Sequence, residues 1–91
     1  MPRYFFDLHN DMDALDVEGR DFPDLPAARS TAIKEARGMI CASVTANGKI
    51  NLHHCIKVRD QGGSVVCVVQ FEEAVEVTRG SEILSRASTA A

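Results

Sequence analysis

Hydrophobic and small residues between Asp24 and Asn47 recur at the spacing of an amphipathic helix. At about 100° per residue they gather on one face. That face comprises Leu25, Ala28, Ala32, Ile33, Ala36, Met39, Ile40, Ser43 and Val44. Asp24 can cap the first turn, Pro26 fits within that turn, and Gly48 supplies a left-handed stop. The pattern predicts one helix of about 22 residues, roughly 33 Å long, whose alanines let a sheet approach closely.

Before the helix, two segments alternate between apolar and polar residues, as half-buried strands do. The first covers residues 3–9, with Phe5, Asp7 and His9 on the face away from the helix. The second covers residues 14–18 and follows an acidic turn. A hairpin is therefore expected, with Leu8 opposite Leu15 and Phe6 opposite Val17.

After the helix, residues 50–59 alternate again, and Asp60-Gln61-Gly62-Gly63 is a strong hairpin signal. The last strand is expected over residues 64–78, with a bulge or break near Glu72-Glu73. The expected pairs are Val58 with Val65, Ile56 with Cys67 and Leu52 with Phe71.

These elements predict an α+β fold of ββαββ order, in which one long helix packs on one face of a four-stranded, mainly antiparallel sheet. Residues 1–79 form the single expected domain. Residues 80–91, rich in Ser and Ala, are expected to be frayed or disordered, or to form a short helix over 81–87.

Composition narrows the classes of function. The 91-residue chain has a net charge of −3 and no basic stripe, which argues against nucleic-acid binding. No apolar run reaches the length of a membrane span, and an acid at the seventh position argues against a signal peptide. Three cysteines without a C-x-x-C motif suggest reduced thiols in a cytoplasmic protein.

The acidic hairpin is the first candidate site. In the expected register Asp7 faces Asp16, with His9 nearby, and facing like charges are unfavourable. A divalent cation held by these three residues would offset the repulsion. So would a basic side chain from the third strand, Lys57 or Arg59. A solvated acidic surface is the simplest alternative.

Other chemistry-bearing residues give weaker signals. His53 and His54 point to opposite faces of a strand, so they cannot chelate one ion together, although His53 and Cys55 share a face. We expect one histidine at the core edge and one exposed. Cys41 lies on the outer helical face without a local base, so a catalytic role is not expected.

The sheet face away from the helix carries Phe5, Val66 and Val68. A single helix leaves this face open, and apolar residues there suggest a protein partner, most simply a second copy of the chain. A dimer through an edge strand and a monomer are the alternatives.

Several motifs carry a resemblance to a known family. They are the opening MPRYFFDLH, the Phe22-Pro23-Asp24-Leu25 approach to the helix, the Ala27-Ala28-Arg29 helix start and the hairpin of residues 56–63. Together they resemble a family of short alphaproteobacterial proteins known only as a domain of unknown function, over residues 1 to about 77. The resemblance implies a bacterial cytoplasmic protein with a stress or regulatory role.

A second, weaker likeness is to HicB-type antitoxins, which place a Pro-Asp-Leu-Pro motif after a first hairpin. Here that motif is Pro23 to Pro26, but Ala27-Ala28 replaces the usual Gly-Cys and no DNA-binding segment follows.

Three classes of function therefore stand. The favoured one is a self-associating interaction or regulatory module, a homodimer with neither catalysis nor cofactor, and with room for an unidentified protein partner. The alternatives are a metal- or small-ligand-binding domain using the acidic hairpin, and a relative of HicB-type antitoxins. An enzyme would need a base and a nucleophile in one pocket, and the three histidines lie on separate segments.

Overall fold

A computed structural model describes residues 1–10 and 12–85. The long helix, α1, spans Leu25–Asn47 and begins where the sequence predicted. The Asp24 carboxylate accepts a hydrogen bond of 2.9 Å from the Ala27 N–H, and Gly48 ends the helix at φ +67°. Both ends are thus fixed by local capping chemistry.

The main sheet has four antiparallel strands. They are β1 (Arg3–His9), β2 (Arg20–Asp21), β3 (Cys55–Arg59) and β4 (Val65–Gln70), arranged in the order β2-β1-β3-β4. The first strand therefore lies inside the sheet, between β2 and β3. The predicted α+β architecture of one long helix on a four-stranded antiparallel sheet is confirmed.

The core lies between α1 and the inner face of this sheet. The helix contributes Ala28, Ala32 and Ala36, each fully buried, and the strands contribute Ile56, Val58 and Val69. Such small helical side chains allow close approach of the helix to the strands. Val44 was expected on the same buried face but is 44% exposed, because the last turns of α1 extend beyond the strands.

The predicted second strand over residues 14–18 is wrong. Only Ala14 forms a bridge to β1, opposite Leu8, while Leu15 and Val17 are 69% and 86% exposed. The physical reason is Asp16, whose carboxylate accepts the Phe6 N–H at 3.0 Å in place of a strand carbonyl. A side chain thus completes the edge of β1, and regular pairing resumes only at β2.

The second hairpin forms, but two residues out of the predicted register. Val58 pairs with Cys67 and Ile56 with Val69. The turn is tightened by Asp60, whose Oδ1 accepts the N–H groups of Gly62 and Ser64. An even shift keeps the inward parity, so the predicted core faces survive the change.

The segments flanking this hairpin also differ from expectation. Residues 50–54, predicted as strand, precede β3 without joining it. The expected break near Glu72-Glu73 is present as a short helix, α2 (Phe71–Ala74), capped by Gln70 and Glu73. Phe71 therefore begins a helix and does not pair with Leu52 in a ladder, although the neighbouring Glu72 N–H still reaches the Leu52 carbonyl at 3.3 Å.

Where the sequence predicted a frayed tail or a helix over 81–87, the structure forms a small hairpin. Its strands are β5 (Val77–Arg79) and β6 (Glu82–Ser85), joined at Gly80, which has φ +62°. Residues 86–91 lie outside the described part of the chain. Within that part, no helix combines the length and apolar character needed to cross a membrane.

Candidate functional site

Strand β4 forms one edge of the main sheet, and none of the described strands pairs with its outer side. Its sequence, VVCVVQ, contains no charged residue, proline or glycine. Three of its valines are exposed: Val65 at 51%, Val66 at 37% and Val68 at 39%. Edge strands are normally protected by charges, prolines or short length. Strand β4 therefore has neither charges nor prolines to protect its edge.

Phe5, grouped with Val66 and Val68 from sequence, lies on the same sheet face but apart from them. Lys57 of β3 stands between β1 and β4, in register with Val68. Phe5 itself is half-buried beneath the Arg59 guanidinium, whose Cζ lies 5.1 Å from the ring centroid. The exposed apolar surface is therefore a strip along β4, to which Val65 must be added.

The acidic hairpin has a basic partner. The Arg59 side chain donates two hydrogen bonds to the Asp7 carboxylate, one of them at 3.1 Å, and a third of 2.9 Å to the Asp16 carbonyl. The Asp16 N–H also donates to Asp7 Oδ1 at 2.9 Å. Asp7 is only 3% exposed. The sequence left three explanations for the facing acidic residues. In the described structure, a basic residue of the third strand, Arg59, compensates the charge of Asp7.

The pKa values of both carboxylates are lowered. Burial acts to raise the pKa of Asp7, but the hydrogen bonds from Arg59 and the Asp16 N–H outweigh it. Burial likewise opposes ionisation of Asp16, and the N–H groups of Phe6, Gly19 and Glu18 bring its pKa below the ordinary value. Both groups thus favour the charged form inside the fold.

His9, the third residue of the candidate metal site, turns toward Asp13, with 3.3 Å between its Nδ1 and Asp13 Oδ1. Within residues 1–10 and 12–85, no three His, Cys, Asp or Glu side chains are placed to hold a metal ion. Asp7, His9 and Asp16 are therefore not brought together as a ligand set in the described structure.

The remaining candidates lie apart from one another. His53 is exposed, while His54 is half-buried and packs edge-on against Phe71, so the expectation of one exposed and one core-edge histidine is confirmed. Cys41 is exposed on α1, as expected. Cys55 is buried, although it belongs to the outer-facing set of β3. Burial also raises the pKa of the Cys67 thiol, which disfavours a thiolate there.

Comparison with known proteins identifies the family and nothing beyond it. A profile of the domain of unknown function DUF6894 matches residues 3–72. No curated protein and no solved structure matches the chain. The profile does not bear on a bacterial origin or on the likeness to HicB-type antitoxins, which stay predictions. It covers most of the chain, from β1 into α2. The chain therefore belongs to the DUF6894 family of domains of unknown function.

Proposed function

We propose that this protein is a self-associating interaction module that pairs with a second copy of itself through β4 and performs no catalysis. The observation that carries the proposal is the uncharged, valine-rich strand Val65–Gln70 at an unpaired edge of the described sheet. Its exposed N–H and C=O groups are a template for another strand.

A second copy of the chain is the occupant that these features favour. Two uncharged strands can approach without charge repulsion, whereas β2, the other edge strand of the described sheet, offers only two residues for pairing. Antiparallel pairing of β4 with itself about a two-fold axis uses the same patch on both protomers. The main-chain groups give the pairing, and the exposed side chains of Val66 and Val68 add apolar burial.

The proposal includes no reaction, because the side chains that could be reactive are either paired with structural partners or placed on different elements of the fold. Asp7 is paired with Arg59, and Asp16 accepts backbone N–H groups. His9 and Cys41 lie on different elements, β1 and α1. Neither is hydrogen-bonded to a described group that would make it a base-activated nucleophile.

Sedimentation velocity over a wide range of protein concentration tests the proposal. We expect a reversible dimer for the wild type and a monomer for Val68→Glu, with an unchanged circular dichroism spectrum, because the new carboxylate lies opposite Lys57 within the fold. The matched control is Val17→Glu, because Val17 is 86% exposed near the opposite edge of the sheet. That variant should dimerise like the wild type. A monomeric wild type, or a dimer that Val68→Glu leaves intact, would refute pairing through β4.

A further inference from the structure

A cavity of about 180 Å³ lies beneath the C-terminal end of α1. It follows from a mismatch in length. The 23 residues of α1 span roughly 34 Å, whereas the five residues of β3 span roughly 17 Å. The last turns of the helix therefore extend past the sheet. The chain returning through residues 49–54 closes the space only in part.

The inner wall of this cavity is apolar and includes aromatic groups. Phe71, 4% exposed, forms one wall, and the His54 ring meets it edge-on, with 5.6 Å between ring centroids and 71° between planes. Met39 and Ile40 of α1 cover the space from above. Edge-to-face ring contacts and a nearby thioether are environments that stabilise an aromatic guest.

Besides Ser43 and His54, the polar side chains that line the cavity are two amides whose orientation is fixed, Asn10 and Asn51. Asn10 Oδ1 accepts the Met12 N–H and Asn51 Oδ1 accepts the His53 N–H, each at 2.9 Å. These two hydrogen bonds identify the oxygen of each amide, and the other terminal atom is therefore the NH₂ group. Neither NH₂ group donates to another described residue. None of the described residues that line the cavity carries a carboxylate, an ammonium or a guanidinium group.

From this geometry we propose that the cavity binds a small, uncharged aromatic compound carrying one hydrogen-bond-accepting oxygen. The volume is suitable, because a buried apolar cavity of about 150 Å³ in an unrelated protein admits benzene. The ring would lie against Phe71 and Met39, and the oxygen would accept from the amide of Asn51. A charged ligand would lose its hydration, and no carboxylate, ammonium or guanidinium group among the described lining residues would offset that loss. This site is independent of the proposed self-association, since Val66 and Val68 do not line it.

Titration of the ¹⁵N-labelled protein with acetophenone, followed by amide chemical shifts, tests this proposal. A ligand of this size in a partly open site should bind with a dissociation constant on the order of 1 mM. We expect saturable shifts at Met39, Ser43, His54 and Phe71. Benzoate, which has a similar size and a full negative charge, should produce none of them.

Two variants locate the binding. Ser43→Phe places a ring in the cavity and should weaken acetophenone binding at least about tenfold. Ser30→Phe, on an exposed part of the same helix, should not weaken it. Asn51→Asp keeps the acceptor for the His53 N–H but removes a donor. It should weaken acetophenone binding and leave toluene binding unchanged.

Each contrary result has a definite meaning. The absence of saturable shifts with acetophenone overturns the proposal, as does equal binding of benzoate. Binding that survives Ser43→Phe unchanged would place the compound elsewhere. If Ser43→Phe does not fold, the comparison of acetophenone with toluene in Asn51→Asp decides. The dimer test does not depend on any of these outcomes.

Discussion

Arg59 donates hydrogen bonds to the carboxylate of Asp7 on the neighbouring strand, 52 residues away in the chain. The same guanidinium reaches the carbonyl of Asp16 and lies over the ring of Phe5. One side chain of β3 thus joins β1 to the loop that replaces the expected second strand. Asp7 is the more deeply buried member of the pair.

Asp7→Asn should destabilise the fold. The variant leaves Arg59 without its charge partner, and its new NH₂ group faces another donor, either the Arg59 guanidinium or the Asp16 N–H. A loss of about 2–3 kcal/mol is expected, toward the lower end for buried pairs because the Arg59 side chain keeps some contact with water. Urea unfolding monitored by circular dichroism measures it.

Asp13→Asn is the matched control for this substitution. Asp13 belongs to the same acidic segment, but its side chain is 65% exposed and its ion pair is with His9. Its replacement should change the free energy of unfolding by less than about 0.5 kcal/mol. Equal effects of the two substitutions would show that the pair between Asp7 and Arg59 contributes nothing specific.

Stability should fall in acid through the same network. The pKa values of Asp7 and Asp16 are lower in the folded protein than the ordinary value of 3.8. The unfolded state therefore binds more protons over this range. The stabilisation is present above the unfolded pKa and is lost as pH falls from about 4 through the folded values. Urea midpoints measured from neutral pH downward should show this decline.

The decline should be shallower in Asp7→Asn, which has lost one of the two shifted carboxylates. An identical acid dependence in that variant and in the wild type would assign the pH effect to other groups.

Gly19→Ala should be more damaging than Gly48→Ala, although both glycines have positive φ, at +71° and +67°. A Cβ at Gly19 would lie 2.8 Å from Phe5 Cε2 and 2.9 Å from Arg3 Cγ, whereas one at Gly48 meets no atom within 4 Å. Gly48→Ala should cost about 1 kcal/mol for the left-handed backbone alone, and Gly19→Ala at least about 2 kcal/mol. Thermal or urea unfolding of the two variants makes the comparison. Similar losses would show that the Gly19 loop moves aside without cost.

The helix could be predicted from sequence because every signal for it is local. Asp24, Pro26 and Gly48 define its ends, and the alanine period defines its buried face. The second strand could not be predicted correctly, because the Asp16 side chain accepts a β1 N–H group that a second strand would otherwise have paired with. Asp16 accepts the Phe6 N–H of β1 and leaves Leu15 and Val17 in solvent. An alternating pattern carries no information on which acceptor a backbone N–H will choose.

The candidate sites were also predictable only in part. That Lys57 or Arg59 could compensate the acidic residues followed from strand parity, but the choice of Arg59 depends on geometry that only the fold supplies. The hairpin register moved by two residues because the turn contains one residue more than expected and a bulge lies between Val58 and Arg59, and an alternating pattern shows neither. The cavity under α1 was beyond prediction, because it depends on β3 beginning at Cys55 and not at Ile50.

The position of β1 inside the sheet has a consequence for how the chain folds during synthesis. Strand β1 leaves the ribosome before β3, with which it pairs, and the salt bridge that joins them spans 52 residues. Until Arg59 has emerged, the aromatic segment from Tyr4 to Phe6 has only β2 and a loop beside it. Contacts between residues far apart in the sequence slow folding, because the chain loses the entropy of loop closure before strand pairing contributes any favourable free energy. The nascent chain therefore holds its aromatic strand β1 without its β3 neighbour while the helix forms behind it.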